Sequence, residues 1–417
     1  MGVMKAWKME QEERGYWSVG DKYVCADCFD DYAISQFITD HAVEKKCDYC
    51  GQTSSRRRIA APMDDVIGHI VEGIKYEWGQ PDNEGVPYES AEGGYQGEVI
   101  DNWELLFDEL AIVDDCGSEL ADDLRNAIMD CGWCQRNFFG LPPDKALIYG
   151  WEEFCQKVKG QTRYTFFRAR DLLRRYRGPE EIPASRMLDE LGSVIAKTNM
   201  LLKVRKGTRI IRVRPTEAGQ RFVSATDLGS PPLNKALQSN RMSPAGISMF
   251  YGTFDQETAI LETCKGVPYA TVGHWETLRP FWVVDLTELP PVPSLFDVNK
   301  RGLRPAIKFL HSFVGDLSKP IDPDTGQQEE HVEYVPTQIV TEYFRFLFRY
   351  RGRLAVKGLY YRSSRTGKKT CVLFFENEDC CDQKPSSKSR FDEPKWLRLV
   401  RHSRRSLTSQ HYPITTA

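Results

Sequence analysis

Hydrophobic positions in the first half of the chain recur at helical spacing. In "APMDDVIGHIVEGIKYEW", Val66, Ile67, Ile70, Val71 and Ile74 share one face behind a candidate cap, Asp64, so the stretch predicts an amphipathic helix. The same spacing runs through "WELLFDEL", "ELADDLRNAIM", "LIYGWEEFCQKVKG" and "SRMLDELGSVIAKTNMLL" as far as residue 202. Residues 77 to 100 lose it to Gly, Pro and Glu and read as a loop. Beyond residue 203 the texture changes. Short β-branched or aromatic runs ("TRIIRVR", "ISMFYG", "YATVGHW", "PFWVVDL", "LAVKGLYY", "CVLFF") alternate with Pro and Gly signals and with the helical "TQIVTEYFRFLFRY", which predicts a mixed α+β domain. "LPPVPSLFDVNKRGLRP" and "LSKPIDPDTGQQEE" are long Pro-punctuated loops, a kind that lines sites more often than it builds cores. From Gln383 to Ala417 the chain is polar, with seven Lys or Arg between Lys388 and Arg405, and reads as a disordered tail.

Composition narrows this little. The chain has 417 residues, 41% of them hydrophobic, enough for more than one core. With 56 basic and 59 acidic residues its net charge is −3, so a nucleic-acid or membrane partner would need a local patch. The basic tail is the one candidate for nucleic acid and is the less favoured reading of that segment. No stretch approaches the roughly 18 apolar residues of a membrane span, and "MGVMKAWKMEQEERG" carries no apolar leader, so a soluble cytoplasmic protein is expected.

The twelve cysteines matter more. Cys25 and Cys28 form "CADC", Cys47 and Cys50 form "CDYC", and 18 residues separate the pairs. Two such turns present four thiolates, a closed tetrahedral shell for a structural Zn²⁺ with no open position for catalysis. Cys131 and Cys134 in "CGWC" imitate a redox pair. The preceding "ADDLRNAIMD" is helical rather than a buried strand, so they read as packing cysteines. The expected division is a zinc knuckle over residues 1–60, a helical domain over 61–203, an α+β domain over 204–382 and the tail over 383–417.

One stretch gathers groups that suit a nucleotide. "NRMSPAGISMFYGTFDQETAILE" delivers an Arg on a turn, a Tyr on a strand and a Glu on a helix. Arg suits bidentate phosphate contact, Tyr can stack on a flat ring, and a carboxylate can bond a sugar hydroxyl or stabilise a developing cation. Taken singly, Arg241 could be a surface ion pair, Tyr251 a core residue and Glu262 a solvated helix residue.

Four blocks in order, "RIIRVR", the stretch above, "YVPTQIVTEYFR" and "GLYYRSSRTGKKTCVLFF", resemble the RES domain family across residues 205 to 376. "YVCADCFDDYAISQFI" with "CDYCG" resembles the zinc-containing HEPN-associated domain that precedes RES domains in longer members. The resemblance implies an ADP-ribosyltransferase-like α+β fold and an enzyme that degrades NAD, in a family that includes toxins. It places the family's first Arg on Arg212, with Arg214 as the alternative register, and the second on Arg241. It places the strand Tyr on Tyr251 and the helix Glu on Glu262, with Glu257 as a rival. Where the family has Ser after Val-Pro, this chain has Thr337, which would otherwise serve as a helix N-cap worth about 1 kcal/mol.

The implied reaction breaks the nicotinamide–ribose bond through an oxocarbenium-like state. Glu262 would steady the sugar, Arg212 and Arg241 would hold the pyrophosphate, and Tyr251 would stack on nicotinamide. Water, phosphate or a protein side chain as acceptor gives an NAD glycohydrolase, an NAD phosphorylase or an ADP-ribosyltransferase. An antitoxin or regulatory protein is the implied partner. Two alternatives compete: a HEPN-like ribonuclease and an interaction module with an inactive NAD pocket. Neither His41 nor His69 has an upstream Arg at the HEPN spacing. The pair Arg304 and His311 in "RPAIKFLH" has that spacing but lies within the RES-like region.

Overall fold

A computed structural model describes residues 14–114, 117–168, 181–264, 266–319, 331–352, 355–383 and 395–407. The chain divides into two compact units, one formed by Met1–Pro143 with Pro291–Pro305, the other by Asp144–Pro290 with Ala306–Ala417.

In the first unit, β1 (Tyr23–Cys25) pairs antiparallel with β2 (Ala60–Pro62), and helices α1 (Tyr32–Asp40) and α2 (Met63–Glu77) pack beside them. The Asp31 side chain starts α1 by accepting from the backbone N–H groups of Ala33 and Ile34. Helix α2 buries the expected stripe of Val66, Ile67, Ile70, Val71 and Ile74. Asp64 does not cap it. Strand β2 runs directly into the helix, so Pro62 takes the cap position, and Asp64 instead accepts from the Val19 N–H at 3.0 Å. Short antiparallel pairs follow, β3 (Trp78–Gly79) with β6 (Cys134–Gln135) and β4 (Tyr88–Glu89) with β5 (Gly94–Tyr95). Between them α3 (Glu119–Ala127) begins at a Ser118 cap.

The Pro-rich loop that the sequence suggested would line a site supplies core instead. Leu295 and Phe296 are buried among the first unit's apolar side chains. The Phe296 ring occupies the space a Cβ on Gly73 would need, 2.3 Å away, so the absence of a side chain at Gly73 makes the notch. Ser294 bonds Asp31 at 2.9 Å, the Tyr32 hydroxyl bonds Asp297 at 2.9 Å, and Arg304 pairs with Glu77 at 2.7 Å.

The second unit is built on a nine-stranded mixed sheet among the described residues, in the order β14-β15-β10-β8-β9-β13-β12-β11-β7. Its strands are β7 (Leu201–Val204), β8 (Arg209–Thr216), β9 (Phe250–Thr253), β10 (Tyr269–Thr277), β11 (Phe281–Asp285), β12 (Val356–Arg362), β13 (Lys369–Leu373), β14 (Cys380–Cys381) and β15 (Leu397–Ser406). Pairing is antiparallel except for β11 with β12 and β14 with β15. Helices α4 (Pro143–Gly160) and α5 (Met187–Lys197) belong to this unit, with α6 (Ala225–Leu228), α7 (Gln256–Thr263), α8 (Arg304–Ser318) and α9 (Val335–Glu342).

Side-chain alternation sorts the sheet into two cores. Tyr251, Val284, Leu359 and Val372 pack with α4, α5, α8 and α9, whereas Ile210, Phe250, Trp275, Tyr360 and Leu373 gather in another cluster. Helix α7 places Ala259 and Ile260 against Val213 and Val272.

The polar C-terminal tail is corrected in part. Residues 397–406 form β15, which pairs with β10 from Thr277 to Tyr269. Leu397 and Leu399 alternate into the core, a two-residue signal masked in the sequence by the Arg and Lys around it. Residues 384–394 and 408–417 lie outside the described residues. Ending the chain at Gln383 should therefore strip a long strand and two buried leucines from the sheet, a loss comparable with a domain's whole stability of about 5–15 kcal/mol. Thermal unfolding followed by circular dichroism should lose its cooperative transition for the second unit. An unchanged melting curve would mean that β15 is dispensable.

Candidate functional site

The turn before β9 builds the first part of the site. Asn240 and Ser243 exchange backbone hydrogen bonds, the Asn240 N–H to the Ser243 carbonyl at 2.8 Å and the reverse at 3.2 Å, which closes the "NRMS" turn. Gly246, at φ +89°, supplies a left-handed residue just after it. The chain then enters β9 with Tyr251, whose hydroxyl sits 2.9 Å from the Ser243 hydroxyl. Burial pushes the Tyr251 phenol up to about 12, so it stays protonated near neutral pH.

Arg212 meets Tyr251 through its backbone rather than its ring. It lies on the Phe250 side of the sheet, its guanidinium 5.3 Å from that ring's centre, and its Nη1 donates to the Tyr251 carbonyl at 2.7 Å. Burial, together with the like charge of Arg214, holds Arg212 down at about 10. Its Nε is buried and has no hydrogen-bond partner, an unfilled donor. Arg214 lies over the Phe222 ring instead.

Arg241 donates to the carbonyls of Leu317 at 2.6 Å and Lys319 at 2.9 Å, at the C-terminal end of α8, where a cation is favoured by the exposed carbonyls. Its guanidinium also lies 5.7 Å from the Tyr334 ring centre. Among the described residues Arg241 forms no ion pair, and it is not a free anion clamp. Fewer than half of its N–H donors are engaged in these two bonds.

Thr337 is 7% exposed and is not an N-cap. It is the third residue of α9, after Pro336, and its hydroxyl donates instead of accepting: the Arg241 carbonyl and the Tyr334 carbonyl, at 2.9 Å, share its proton. Gln338 supports the same turn by donating to the Asn240 carbonyl and the Ser239 hydroxyl, both at 2.8 Å. The two "VPTQ" side chains thus bind the backbone that carries Arg241.

Glu262 sits exposed in the last turn of α7, its Oε1 accepting a hydrogen bond from the Ser363 hydroxyl. The rival Glu257 lies in the first turn, with Lys368 at 3.8 Å as its ionic partner. Tyr361 links the two halves. It packs, like Tyr251, against the same apolar core, two residues before the Ser363 that bonds Glu262, and burial raises its phenol's pKa. Ser243, Tyr361 and Ser363 were not singled out by sequence reasoning, although each lies inside a block that carries the family resemblance.

In the first unit, Cys25, Cys28, Cys47 and Cys50 converge as expected, all four Sγ atoms within 4.8 Å of one another. Neighbouring sulfurs are 3.5 to 3.7 Å apart. A tetrahedral ion with metal–sulfur bonds of about 2.3 Å requires edges of about 3.8 Å, so the cluster is a metal-sized cage. Burial pushes Cys25 up to about 12 and raises Cys28 as well, so without a cation the cage resists ionisation. At Cys47 burial is outweighed by backbone N–H groups of Cys50, Cys25 and Tyr49, and the thiol is lowered. These residues could hold a metal ion, with the Cys25 N–H donating to the Cys47 sulfur at 3.3 Å.

Cys131 and Cys134 are packing residues. Burial raises both thiols, and Cys134 lies in β6 with its sulfur 3.7 Å from the Gly79 carbonyl. His41 and His69 flank Phe37 in a stack, at 4.0 and 4.2 Å between ring centres. Arg304 is committed to Glu77, and the His311 ring to the Pro290 carbonyl at 2.9 Å.

A mixed sheet carrying Arg212, Tyr251 and an exposed helix-borne Glu262, accompanied by a four-cysteine cage, defines a two-part protein of the kind the sequence blocks suggested. Residues 211–396 match the RES domain, and residues 40–171 match HEPN/RES N-terminal domain 1. The RES match spans every proposed substrate residue from Arg212 to Thr337, and the N-terminal match begins after Cys25 and Cys28. No curated protein and no solved structure matches the chain.

A metal in the cage should copurify at one equivalent per chain and add to stability, because the site exists only in the folded chain. Chelation, or Cys25→Ser with Cys47→Ser, should lower the melting temperature of the first unit by several degrees. Elemental analysis that finds no metal in a fully folded chain would contradict this.

Proposed function

We propose that the protein consumes NAD by cleaving the bond between nicotinamide and ribose. The RES domain supports an NAD-acting enzyme, and the observation that carries the finer reading is the exposed Glu262 carboxylate, held by Ser363 just past the strand whose Tyr361 shares a core with Tyr251. In this reading Glu262 stabilises the oxocarbenium character that develops on the ribose as nicotinamide leaves with the bonding electrons. Arg241, with its remaining N–H donors, holds the pyrophosphate, while Arg212, whose guanidinium lies on the Phe250 face with its Nε buried, holds the Tyr251 backbone instead. The Tyr251 ring supports nicotinamide, and Ser243 fixes its hydroxyl. Thr337 stands where the family has Ser, holding the Arg241 backbone from α9. The attacking group is water, phosphate or a protein side chain.

The four-cysteine cage holds a structural zinc, since four thiolates select a soft tetrahedral ion and leave no coordination position for substrate. Among the described residues no helix is long and apolar enough to cross a membrane. A cytoplasmic toxin or defence effector that spends NAD, held in check by an antitoxin or regulatory protein, fits these features.

The test is incubation with NAD, with and without phosphate, and identification of products by mass. ADP-ribose formed without phosphate identifies water as acceptor, and a phosphate-dependent product identifies a phosphorylase. Glu262→Gln should lower kcat roughly a hundredfold or more with KM nearly unchanged, whereas Arg241→Ala should mainly raise KM. Intact NAD under all conditions would overturn the reading. Wild-type turnover in Glu262→Gln, with loss in Glu257→Gln, would move the carboxylate to the first turn of α7.

A further inference from the structure

The turn joining β12 to β13 grips α7 at both ends. At the start of the helix, Lys368 Nζ donates to Asp255 Oδ2 at 3.1 Å, and Asp255 is the residue whose carboxylate caps α7 through the Thr258 N–H at 2.9 Å. The Thr258 and Thr366 hydroxyls meet at 3.1 Å. At the end of the helix, Arg365 Nη1 donates to the Leu261 carbonyl at 2.8 Å, and the Ser363 hydroxyl donates to Glu262. The turn itself closes through Ser363 N–H to the Lys368 carbonyl and Gly367 N–H to the Ser363 carbonyl, both at 2.8 Å, with Gly367 at φ +68°.

The chemistry of Ser363 makes it more than another tie. It is 3% exposed, and its oxygen accepts from the backbone N–H groups of Arg365 and Thr366, both at 3.2 Å. A serine hydroxyl has one proton and two lone pairs, so with its acceptor positions occupied its proton is left for the carboxylate. Glu262 is otherwise exposed on the last turn of a short helix, where a long side chain samples several rotamers. A buried, oriented donor selects one of them.

We propose that Ser363 is a positioning residue for Glu262, and that the β12–β13 turn is the element that fixes the carboxylate before substrate arrives. The catalytic part of this inference rests on the NAD-cleaving reading; the structural part stands without it. Ser363 touches no substrate in this account. It acts through the Glu262 rotamer and through the end of α7.

The experiment compares wild type, Ser363→Ala, Glu262→Gln and the double variant, all as full chains checked for an unchanged thermal transition. With NAD as substrate, Ser363→Ala should lower kcat roughly tenfold and leave KM within about twofold, the signature of a group that matters at the transition state. In the Glu262→Gln background the same change should have almost no further effect, because both act through one carboxylate. Amide hydrogen exchange gives a readout independent of activity. In Ser363→Ala, peptides covering residues 261–263 should exchange faster while those of β9 and β13 stay as in wild type. Equal kcat losses in both backgrounds, or wild-type kcat in Ser363→Ala, would overturn the positioning role. If wild type leaves NAD intact, the NAD reading fails, and exchange alone decides: unchanged protection at residues 261–263 would overturn the structural part. If Ser363→Ala fails to fold, Arg365→Ala tests the same grip, with faster exchange at residues 261–263 expected and unchanged exchange contradicting it.

Discussion

Side chains alternate across a strand, and in β9 and β13 that alternation decides what can meet. Phe250 enters one core and Tyr251 the other, so Arg212, which shares a face with Phe250, can reach Tyr251 only through its carbonyl. The register then continues outward, with Tyr251 opposite Val372 and Val372 opposite Leu359. Two residues further along β12, on the same face, stands Tyr361, and just past the strand stands Ser363. A one-residue slip of β9 would exchange the partners of Phe250 and Tyr251 and dissolve this arrangement.

Around that register the site is assembled from parts held by backbone. Arg241 is anchored by its own carbonyl to Thr337 and by its guanidinium to the end of α8. Glu262 is anchored by a turn that also holds the start of its helix. The groups nearest the proposed chemistry are thus few, but each is backed by a hydrogen bond from a neighbouring element. The first unit follows a different logic. There the four-cysteine cage and the Gly73 notch filled by Phe296 belong to one apolar core.

Some of this could be read directly in the sequence. The cysteine spacing was sufficient, because two paired turns can present four sulfurs in few ways. The α2 stripe and the run of strands after residue 203 were legible from periodicity, and the order of four blocks pointed to the RES domain. What escaped had physical reasons. Leu397 and Leu399 alternate only once before the basic run takes over, with Trp396 and Val400 blurring the pattern, and the pairing with β10 that makes a strand of them is more than a hundred residues distant. Asp64 looked like a cap because a local pattern does not reveal that β2 feeds the helix directly. Thr337 looked like a cap for the same reason, although its hydroxyl serves carbonyls, one of them remote in sequence. Ser243 and Ser363 carry no periodic signal at all, since their roles come from what the fold brings to them.

The central claim is that the ribose of NAD is processed beside Glu262. It is tested most directly by crystallising the full chain with an NAD analogue whose ribose ring oxygen is replaced by carbon, which prevents cleavage. The account predicts the sugar within hydrogen-bond reach of the Glu262 carboxylate, about 2.6–3.2 Å, with the pyrophosphate on Arg241. An analogue bound with its ribose remote from α7, or a bound state in which Glu262 still faces only Ser363, would contradict it.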